Sequence, residues 1–333
     1  MNAGEKAIAK EMKRKEKERQ KCIEMANKML IPVGKKTTLS LGIISLDPSG
    51  VIRMENDRWI KIYRLEGELW KIVDVLESLT GRVRITWHKE SESGKVSCHV
   101  TLIENGEIYE KIRQRIAEDE AKIKEKVNIC ALTIDEAMSD IAYQFRKDIR
   151  FSYASYVRGK KDWKKEIYFD IKEHNTSFMA DSLYGECFSV LNFPKQSADI
   201  IGQLETLLCE MYLCIDLNAL TDEEHADYKR AMEKKYNRRL PINTEERFIN
   251  LSLSILVFTD SDDARNIIED TLRQLMYQNN ILLTPCYHRQ KDVVESILSF
   301  GITEEKIIRN VDKSIVKKLL GGGESDADAK IEV

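Results

Sequence analysis

Residues 250–288 read NLSLSILVF, TDSDDARNIIEDTLRQLMYQNN and ILLTPCYH in succession, and this stretch decides the fold. The first piece is an apolar run broken only by serines, which predicts a buried strand. The middle piece predicts a helix that is capped by Asp260 or Ser261 and stopped by Asn279 and Asn280. Its apolar face consists of Ala264, Ile267, Ile268, Leu272, Leu275 and Met276. The third piece predicts a second strand. Because a strand, helix and strand of these lengths make a right-handed crossover, we expect the two strands to lie parallel in one sheet.

Residues 187–217 repeat this plan. CFSVLNF and MYLCIDL predict strands at the two ends, and the chain between them predicts a helix over 195–208. The apolar face of this helix consists of Ile200, Ile201, Leu204, Leu207 and Leu208. Two such units side by side form a β-α-β, β-α-β plait, the ferredoxin-like arrangement. Between the units, Thr221 and Glu224 make a capping box, which predicts an inserted, exposed helix to residue 239.

The composition is that of an ordinary globular protein. The chain has 333 residues, of which 42% are hydrophobic and 33% charged, and its length allows two domains. The formal net charge is −3, so the chain as a whole is not a nucleic-acid polycation. Seven cysteines show no C-x-x-C spacing, which favours reduced thiols in a cytoplasm. No run of about 18 apolar residues and no apolar N-terminal core occur, which argues against a membrane span and a secretory signal.

The two ends of the chain are polar. Residues 1–32 form a charged arm in which basic side chains outnumber acidic ones and good helix formers dominate, which predicts a solvated helix. Contact of this arm with acidic lipid or nucleic acid is the alternative. Residues 301–333 predict one short helix from about residue 312, followed by a flexible acidic tail.

Residues 33–130 predict a first α+β domain. Strand-like segments form two hairpins, at 51–65 and 83–103, and helical periodicity follows at 69–79 and 108–127. The predicted fold class is therefore α+β, with two mixed-sheet domains, of which the C-terminal one at residues 187–300 is ferredoxin-like with an inserted helix.

Residues 131–186 connect the two predicted domains. Thr133 and Glu136 form a capping box, which predicts a helix to about Arg146. Residues 146–165 then hold eight basic and two acidic side chains with aromatic residues between them. Aromatic rings stack on bases while cations hold phosphates, so this segment is a candidate nucleic-acid or partner contact. An exposed hairpin with inward-facing aromatics is the alternative. The candidate contact residues are Arg146, Lys147, Arg150, Arg158, Lys160, Lys161, Trp163, Lys164 and Lys165.

No catalytic, cofactor-binding or metal-binding motif is found. Residues 34–37 (GKKT) end like a phosphate loop, but Met29 stands where its first glycine belongs. The histidines show no metal-ligand spacing, and the Cys98–His99 pair predicts a core thiol beside a rim histidine. No serine or cysteine has a base at motif spacing. We therefore predict no catalytic residue, no cofactor, no metal and no small-molecule substrate.

Three stretches resemble the N-terminal, non-nucleotide-binding domain of the large ATPases of conjugation and type IV secretion, especially those of Gram-positive integrative elements. They are GIISLDPSGVIRMENDRWIKIYRLEG at 42–67, CFSVLNFP at 187–194, and residues 253–286 with the helix at 293–300. The resemblance covers about 260 residues by pattern, from residue 39 onward. In that family a P-loop ATPase domain follows, whereas this chain carries no Walker motif, so no family catalytic residue has a position here.

The resemblance implies a non-catalytic assembly or docking component of a conjugative DNA-transfer machine. Its expected partners are the machine's ATPase and small inner-membrane components, and its expected place is the cytoplasm, with a peripheral contact to the inner face of the cell membrane. The alternative is a nucleic-acid-binding accessory protein of a mobile element that uses the basic segment 146–165. An enzyme with an unrecognised site is the third hypothesis, which a deep pocket with converging titratable groups would support.

Overall fold

A computed structural model describes residues 31–32, 43–91, 93–145, 171–180, 182–193, 199–236, 247–301 and 307–322. The strands are β1 Ile31–Pro32, β2 Ile43–Leu46, β3 Val51–Met54, β4 Arg58–Glu66, β5 Arg82–Lys89, β6 Val96–Asn105, β7 Asn128–Ala131, β8 Ile171–Glu173, β9 Phe178–Ala180, β10 Leu183–Asn192, β11 Glu210–Ala219, β12 Phe248–Thr259, β13 Leu282–Pro285 and β14 Arg309–Asp312. The helices are α1 Ile72–Val75, α2 Tyr109–Lys124, α3 Ile134–Phe145, α4 Ile200–Leu204, α5 Asp222–Tyr236, α6 Asp262–Gln278, α7 Gln290–Leu298 and α8 Lys313–Leu319. Short 3₁₀ turns flank α1 at Leu69–Lys71 and Leu76–Ser78, and a third lies at Glu55–Asp57.

The stretch that decides the fold forms β12, α6 and β13. The Ser261 hydroxyl accepts the Ala264 N–H and caps α6, while Asn280 ends the turn after it with a φ of 56°. Both β12 and β13 pair antiparallel with β10, which lies between them. The two strands are therefore parallel to each other, as the crossover predicts.

The C-terminal plait has the predicted ferredoxin-like topology. Its chain order is β10, α4, β11, β12, α6 and β13, and its sheet order is β13-β10-β12-β11. Helix α5 is inserted between β11 and β12. At its start Thr221 and Glu224 bond to each other's backbone N–H groups, so the capping box is confirmed.

The N-terminal half is a second plait with the same topology. Its chain order is β4, α1, β5, β6, α2 and β7, and its sheet order is β7-β4-β6-β5. Each plait is preceded by a strand pair that extends the sheet, β2–β3 or β8–β9, and is followed by a helix, α3 or α7. The sequence predicts an α+β domain here, and the structure adds that it repeats the other half. The α+β class is confirmed.

The register fixes which residues of the two halves correspond. The Leu132 N–H donates to the Ile62 carbonyl at 3.1 Å, just as the Cys286 N–H donates to the Cys187 carbonyl at 2.9 Å. Ile62 and Cys187 therefore occupy the same place in the two plaits. Counting along the paired strands from these two residues gives the other pairs of corresponding residues in the two plaits.

One continuous sheet joins the two plaits through β5 and β11, and every pairing in the described ranges is antiparallel. Thr86 pairs with Cys214 across this junction. These two residues correspond, because Thr86 pairs with His99 in β6 and Cys214 pairs with Ser254 in β12 at matching positions. A pseudo-two-fold axis therefore passes between Thr86 and Cys214.

Helices cover both faces of the sheet. The plait face packs apolar side chains against α1, α2, α4, α6 and α8, and the back face packs against α3 and α7. The centre of the back face is polar: Arg84 is fully buried and bonds to both carboxylate oxygens of Asp216 at 2.8 and 2.9 Å. The same guanidinium donates to the Ser296 carbonyl in α7 at 2.7 Å. Arg84 thus ties the N-terminal half to a strand and a helix of the C-terminal half.

Several sequence expectations need correction. The helix predicted over 195–208 is the five-residue α4, and Leu208 lies beyond its end and is 90% exposed. Ile267, predicted on the apolar face of α6, is 65% exposed because Arg265 turns inward to pair with buried Glu186. Strands β7, β8, β9 and β14 are short and have no clear sequence signal.

Candidate functional site

The candidate contact residues of the basic segment, Arg146, Lys147, Arg150, Arg158, Lys160, Lys161, Trp163, Lys164 and Lys165, lie outside the described residues. The same is true of the charged arm at 1–30 and of the tail after residue 322. The described chain offers a different candidate site, which no motif indicated.

This site is a cleft of about 670 Å³ at the end of β4, here called the edge cleft. It is lined by Arg64, Leu65, Glu66, Gly67, Leu69, Trp87, His88, Glu90, Lys95, Val96, Ser97, Cys98, His99, Asp140, Tyr143, Gln144, Ile201 and Glu205. Strand β4 ends at Glu66, and its pairing with β6 stops at Arg64 opposite His99, whereas β6 extends to Val96. The cleft lies in the gap beside residues 96–98 and therefore reaches both faces of the sheet. Its plait-face side is apolar, and its back-face side is polar.

Among the described strands, none covers the end of β6 in this cleft. Strand β4 pairs with β6 only as far as Arg64 opposite His99, whereas β5 pairs with β6 as far as Lys89 opposite Val96. Within the described ranges, no strand pairs with residues 96–98 on the side away from β5. Val96 is 40% exposed beside this edge. Open strand edges are the places where extended polypeptides add to a sheet.

A carboxylate in α3 organises the polar side of the cleft. One Asp140 oxygen accepts bonds from His99 Nε2 and from an Arg64 Nη nitrogen, each at 3.1 Å. Burial alone would raise the pKa of Asp140, but these two partners outweigh it and lower the pKa. The His99 ring packs on Phe300 with 4.5 Å between centroids. His99 was predicted at a rim, but it is buried because α3 covers the back face here.

A second histidine lies deeper in the same cleft. His88 Nε2 lies 3.1 Å from Glu210 Oε1, which also accepts the Tyr212 hydroxyl at 2.7 Å. The His88 and Tyr212 rings stack with 4.0 Å between centroids. Nearer the opening, burial and the charges of Glu90 and Glu210 raise the pKa of Tyr143. The cleft therefore gathers titratable groups, although each histidine is already held by a carboxylate.

The thiol in the cleft is not prepared for nucleophilic chemistry. Cys98 is buried, and burial raises the pKa of its thiol far above its usual range, so it stays protonated. Among the described residues, no group of three or more His, Cys, Asp or Glu side chains is arranged to hold a metal ion. No helix in these ranges combines the length and apolarity that crossing a bilayer requires.

A second cleft, of about 440 Å³, lies at the end of the sheet beside the start of α6. Two of its lining residues are the exposed Leu208 and Ile267. It differs from the edge cleft because Phe258, where β12 lines this cleft, is paired with both β10 and β11. This second cleft has an apolar rim, but β12 has no unpaired edge at Phe258.

Sequence reasoning missed the edge cleft because its residues come from distant segments. One signal was present: Arg84, Thr86 and His88 alternate with Val83, Ile85 and Trp87 along β5. Such alternation is typical of a strand with one polar face, and that polar face carries the cleft histidines.

No protein-family model matches this chain, and no curated protein sequence matches it either.

Proposed function

We propose that the protein is a non-catalytic docking component of a conjugative DNA-transfer, or type IV secretion, machine. In this function it works at the cytoplasmic side, with a peripheral contact to the inner face of the cell membrane. Its partners are the machine's ATPase and small inner-membrane components. The choice of machine rests on the resemblance of residues 39–300 to the N-terminal domain of those ATPases.

The observation that supports the docking function is the part of the β6 edge, inside the edge cleft, that no described strand pairs with. A strand edge supplies backbone donors and acceptors that bind another polypeptide. Such binding needs no catalytic side chain. The surrounding side chains support binding rather than catalysis. Asp140 is shared between Arg64 and His99, and Glu210 between His88 and Tyr212, so both carboxylates already have partners within the protein.

A pull-down tests this function. The full chain, immobilised, is mixed with the ATPase and the membrane subunits of a conjugation machine encoded beside it. We expect capture of at least one of them, unaffected by Arg230→Ala, a change at a side chain that is 72% exposed and far from the cleft. Capture of neither the ATPase nor a membrane subunit would overturn the proposal. Hydrolysis of ATP by the purified chain would also contradict it.

The second candidate function is nucleic-acid binding through the basic segment 146–165, favoured by its eight basic and two acidic side chains and its interleaved aromatics. Plaits that read RNA use an uncovered sheet face, whereas both faces of this sheet are covered by helices. Binding would therefore depend on the segment itself. Replacement of Lys160, Lys161, Lys164 and Lys165 by Glu should then lower the salt concentration that elutes the chain from immobilised DNA. Unchanged elution excludes the segment.

A further inference from the structure

We infer that the edge cleft binds an extended segment of a partner protein as an added strand, antiparallel to β6, with apolar and polar side chains in alternation. This inference rests on the proposed docking function and names the site and the kind of segment it takes. Three observations support it: the direction of the backbone groups of β6, the strand that pairs with Leu251, the counterpart of Val96, and the two-sided lining of the cleft.

The backbone of β6 points the right way. The Glu90 N–H donates to the Lys95 carbonyl at 3.0 Å, so the backbone groups of Lys95 face β5. In an antiparallel ladder the N–H and C=O of one residue point to the same side, and the side alternates along the strand. Val96 and Cys98 therefore direct their N–H and C=O groups away from β5, into the edge cleft. These are the groups to which a strand would bond.

The C-terminal half contains a strand that meets the corresponding edge at one residue. Thr101 and Leu256 correspond, because they pair with the corresponding residues Ile62 and Cys187. Counting back five residues, Val96 corresponds to Leu251. Leu251 is the residue at which β14 joins β12, opposite Arg309. Strand β14 continues antiparallel along β12 to Asp312, opposite Phe248. It therefore pairs with the residues of β12 that correspond to 93–96, and Val96 is the residue of β6 that this comparison reaches.

The side chains of β14 alternate between the two faces of the sheet, and the edge cleft is apolar on one face and polar on the other. Val311 is buried in the plait-face core, and its neighbour Asn310 points to the opposite face. In the edge cleft the plait-face side is formed by Leu65, Leu69 and Ile201, which are apolar. An apolar residue of the added strand fits against them.

The polar side of the edge cleft fits the next residue of the strand. Gln144, in α3, is 6% exposed, and its Oε1 has no hydrogen-bond partner among the described residues. Buried acceptors are rarely left without a donor, because the loss of hydration is not compensated. A side-chain donor on the added strand, such as an amide or a hydroxyl, would satisfy Gln144 beside Asp140.

A labelled synthetic peptide tests the inference. The probe is IIRNVDKS, residues 307–314, which contains β14, the strand that pairs with the Val96 counterpart Leu251. Its binding to the full chain is followed by fluorescence anisotropy. Val96→Pro removes an outward-facing N–H and is expected to weaken binding at least about tenfold. Gln144→Leu removes the buried acceptor and should weaken binding about fivefold. The matched control Ile267→Asp, at the second cleft, should leave binding unchanged.

A second comparison uses the unaltered chain and therefore holds even if a protein variant unfolds. It compares IIRNVDKS with the same peptide methylated on its backbone nitrogens. The methylated peptide cannot donate to the sheet edge and should bind the unaltered chain at least about tenfold more weakly. No binding of IIRNVDKS, or equal binding of the methylated peptide, overturns the inference. A photo-crosslinker at Ser97 that reacts with residues 146–170 of this chain also overturns it, because the occupant is then internal. Capture of the ATPase that Val96→Pro leaves undiminished would refute the cleft but not the docking function.

Discussion

The two halves of the molecule share one topology but use it differently. In the C-terminal half, β14 covers the edge of β12, and Gln290 joins the β8–β9 turn, β10 and the end of β13 through hydrogen bonds. In the N-terminal half, Val96 corresponds to Leu251, where β14 meets β12, but no strand in the described ranges pairs with Val96 on that side, where the edge cleft lies. The comparison teaches that two halves with one topology can differ at the edge of a single strand, and the binding site that we infer lies at that edge.

The two sides of the β5–β11 junction carry different side-chain contacts. Across the pseudo-two-fold axis, the Arg84–Asp216 ion pair corresponds to the stacked Tyr212–His88 ring pair. Replacing Arg84 by Ala leaves Asp216 without its bidentate partner at a largely buried site, and we expect the free energy of unfolding to fall by about 3–5 kcal/mol. Equilibrium urea unfolding measures this. The exposed Arg230→Ala serves as the control, and its loss should stay below about 0.5 kcal/mol. Equal losses for the two variants would show that the junction does not hold the halves together.

Replacement of Gln290 is expected to have the next largest effect on the free energy of unfolding. Its side chain is fully buried, accepts the Cys187 N–H at 2.6 Å and donates to the Thr176 carbonyl at 2.7 Å. Gln290→Ala leaves several backbone groups without partners, and we expect a loss of about 2–3 kcal/mol in the free energy of unfolding. Amide hydrogen exchange should quicken in β9, β10 and β13 and not in β3, β4 and β7. Equally faster exchange in both halves would contradict a stabilising role of Gln290 that is confined to the C-terminal half.

A third contrast concerns the charges under the plait helices. Lys61 in β4 and Glu186 in β10 occupy corresponding positions. Lys61 pairs with Glu120 of α2 at 2.8 Å, and Glu186 pairs with Arg265 of α6 at 2.5 Å, so the same arrangement carries opposite signs. Burial and the charge of Glu269 raise the pKa of Glu186 to about 8. Burial acts to raise the pKa of Glu120 as well, but bonds from Lys124 and Lys61 outweigh it and lower the pKa.

The two carboxyl groups therefore predict opposite pH dependences. A raised pKa in the folded state gives stability that is complete below the unfolded value of 4.5 and is lost as the pH rises through about 8. A lowered pKa gives stability that is lost as the pH falls. We expect Glu186→Gln to flatten the decline in unfolding free energy between pH 5 and 8 by on the order of 1 kcal/mol. Glu120→Gln should flatten only the acid side, below about pH 4.5. Parallel pH profiles for Glu186→Gln and the unaltered chain would contradict the assignment.

The smallest expected effect compares the two capping boxes. Thr133 begins α3 in the N-terminal half, and Thr221 begins the inserted α5. Both caps are exposed, so Thr→Ala at either site should cost about 1 kcal/mol in the unfolding free energy. Thermal unfolding of the two variants measures this. Because α3 also covers the cleft histidines, only Thr133→Ala should weaken peptide binding. An equal effect of both on binding would show that α3 does not organise the cleft.

Local signals in the sequence predicted the elements well. The serine cap of α6, both capping boxes and the crossover of β12 and β13 are confirmed, because each depends on residues close together in the chain. The second plait was not predicted, since α1 has four residues and β7 has four, too few for a periodic pattern. The edge cleft was also missed. Arg64, His99 and Asp140 meet only because the sheet brings β4, β6 and α3 together.

The axis between Thr86 and Cys214 bears on the ancestry of the chain. Two identical polypeptides that met strand to strand through β5-like edges would form a symmetric homodimer around such an axis. A gene duplication that fused them would produce this chain, and it would free each copy to diverge. Among the residues that the structure describes, β14 then belongs to one copy alone, and it marks a point at which the two copies have diverged.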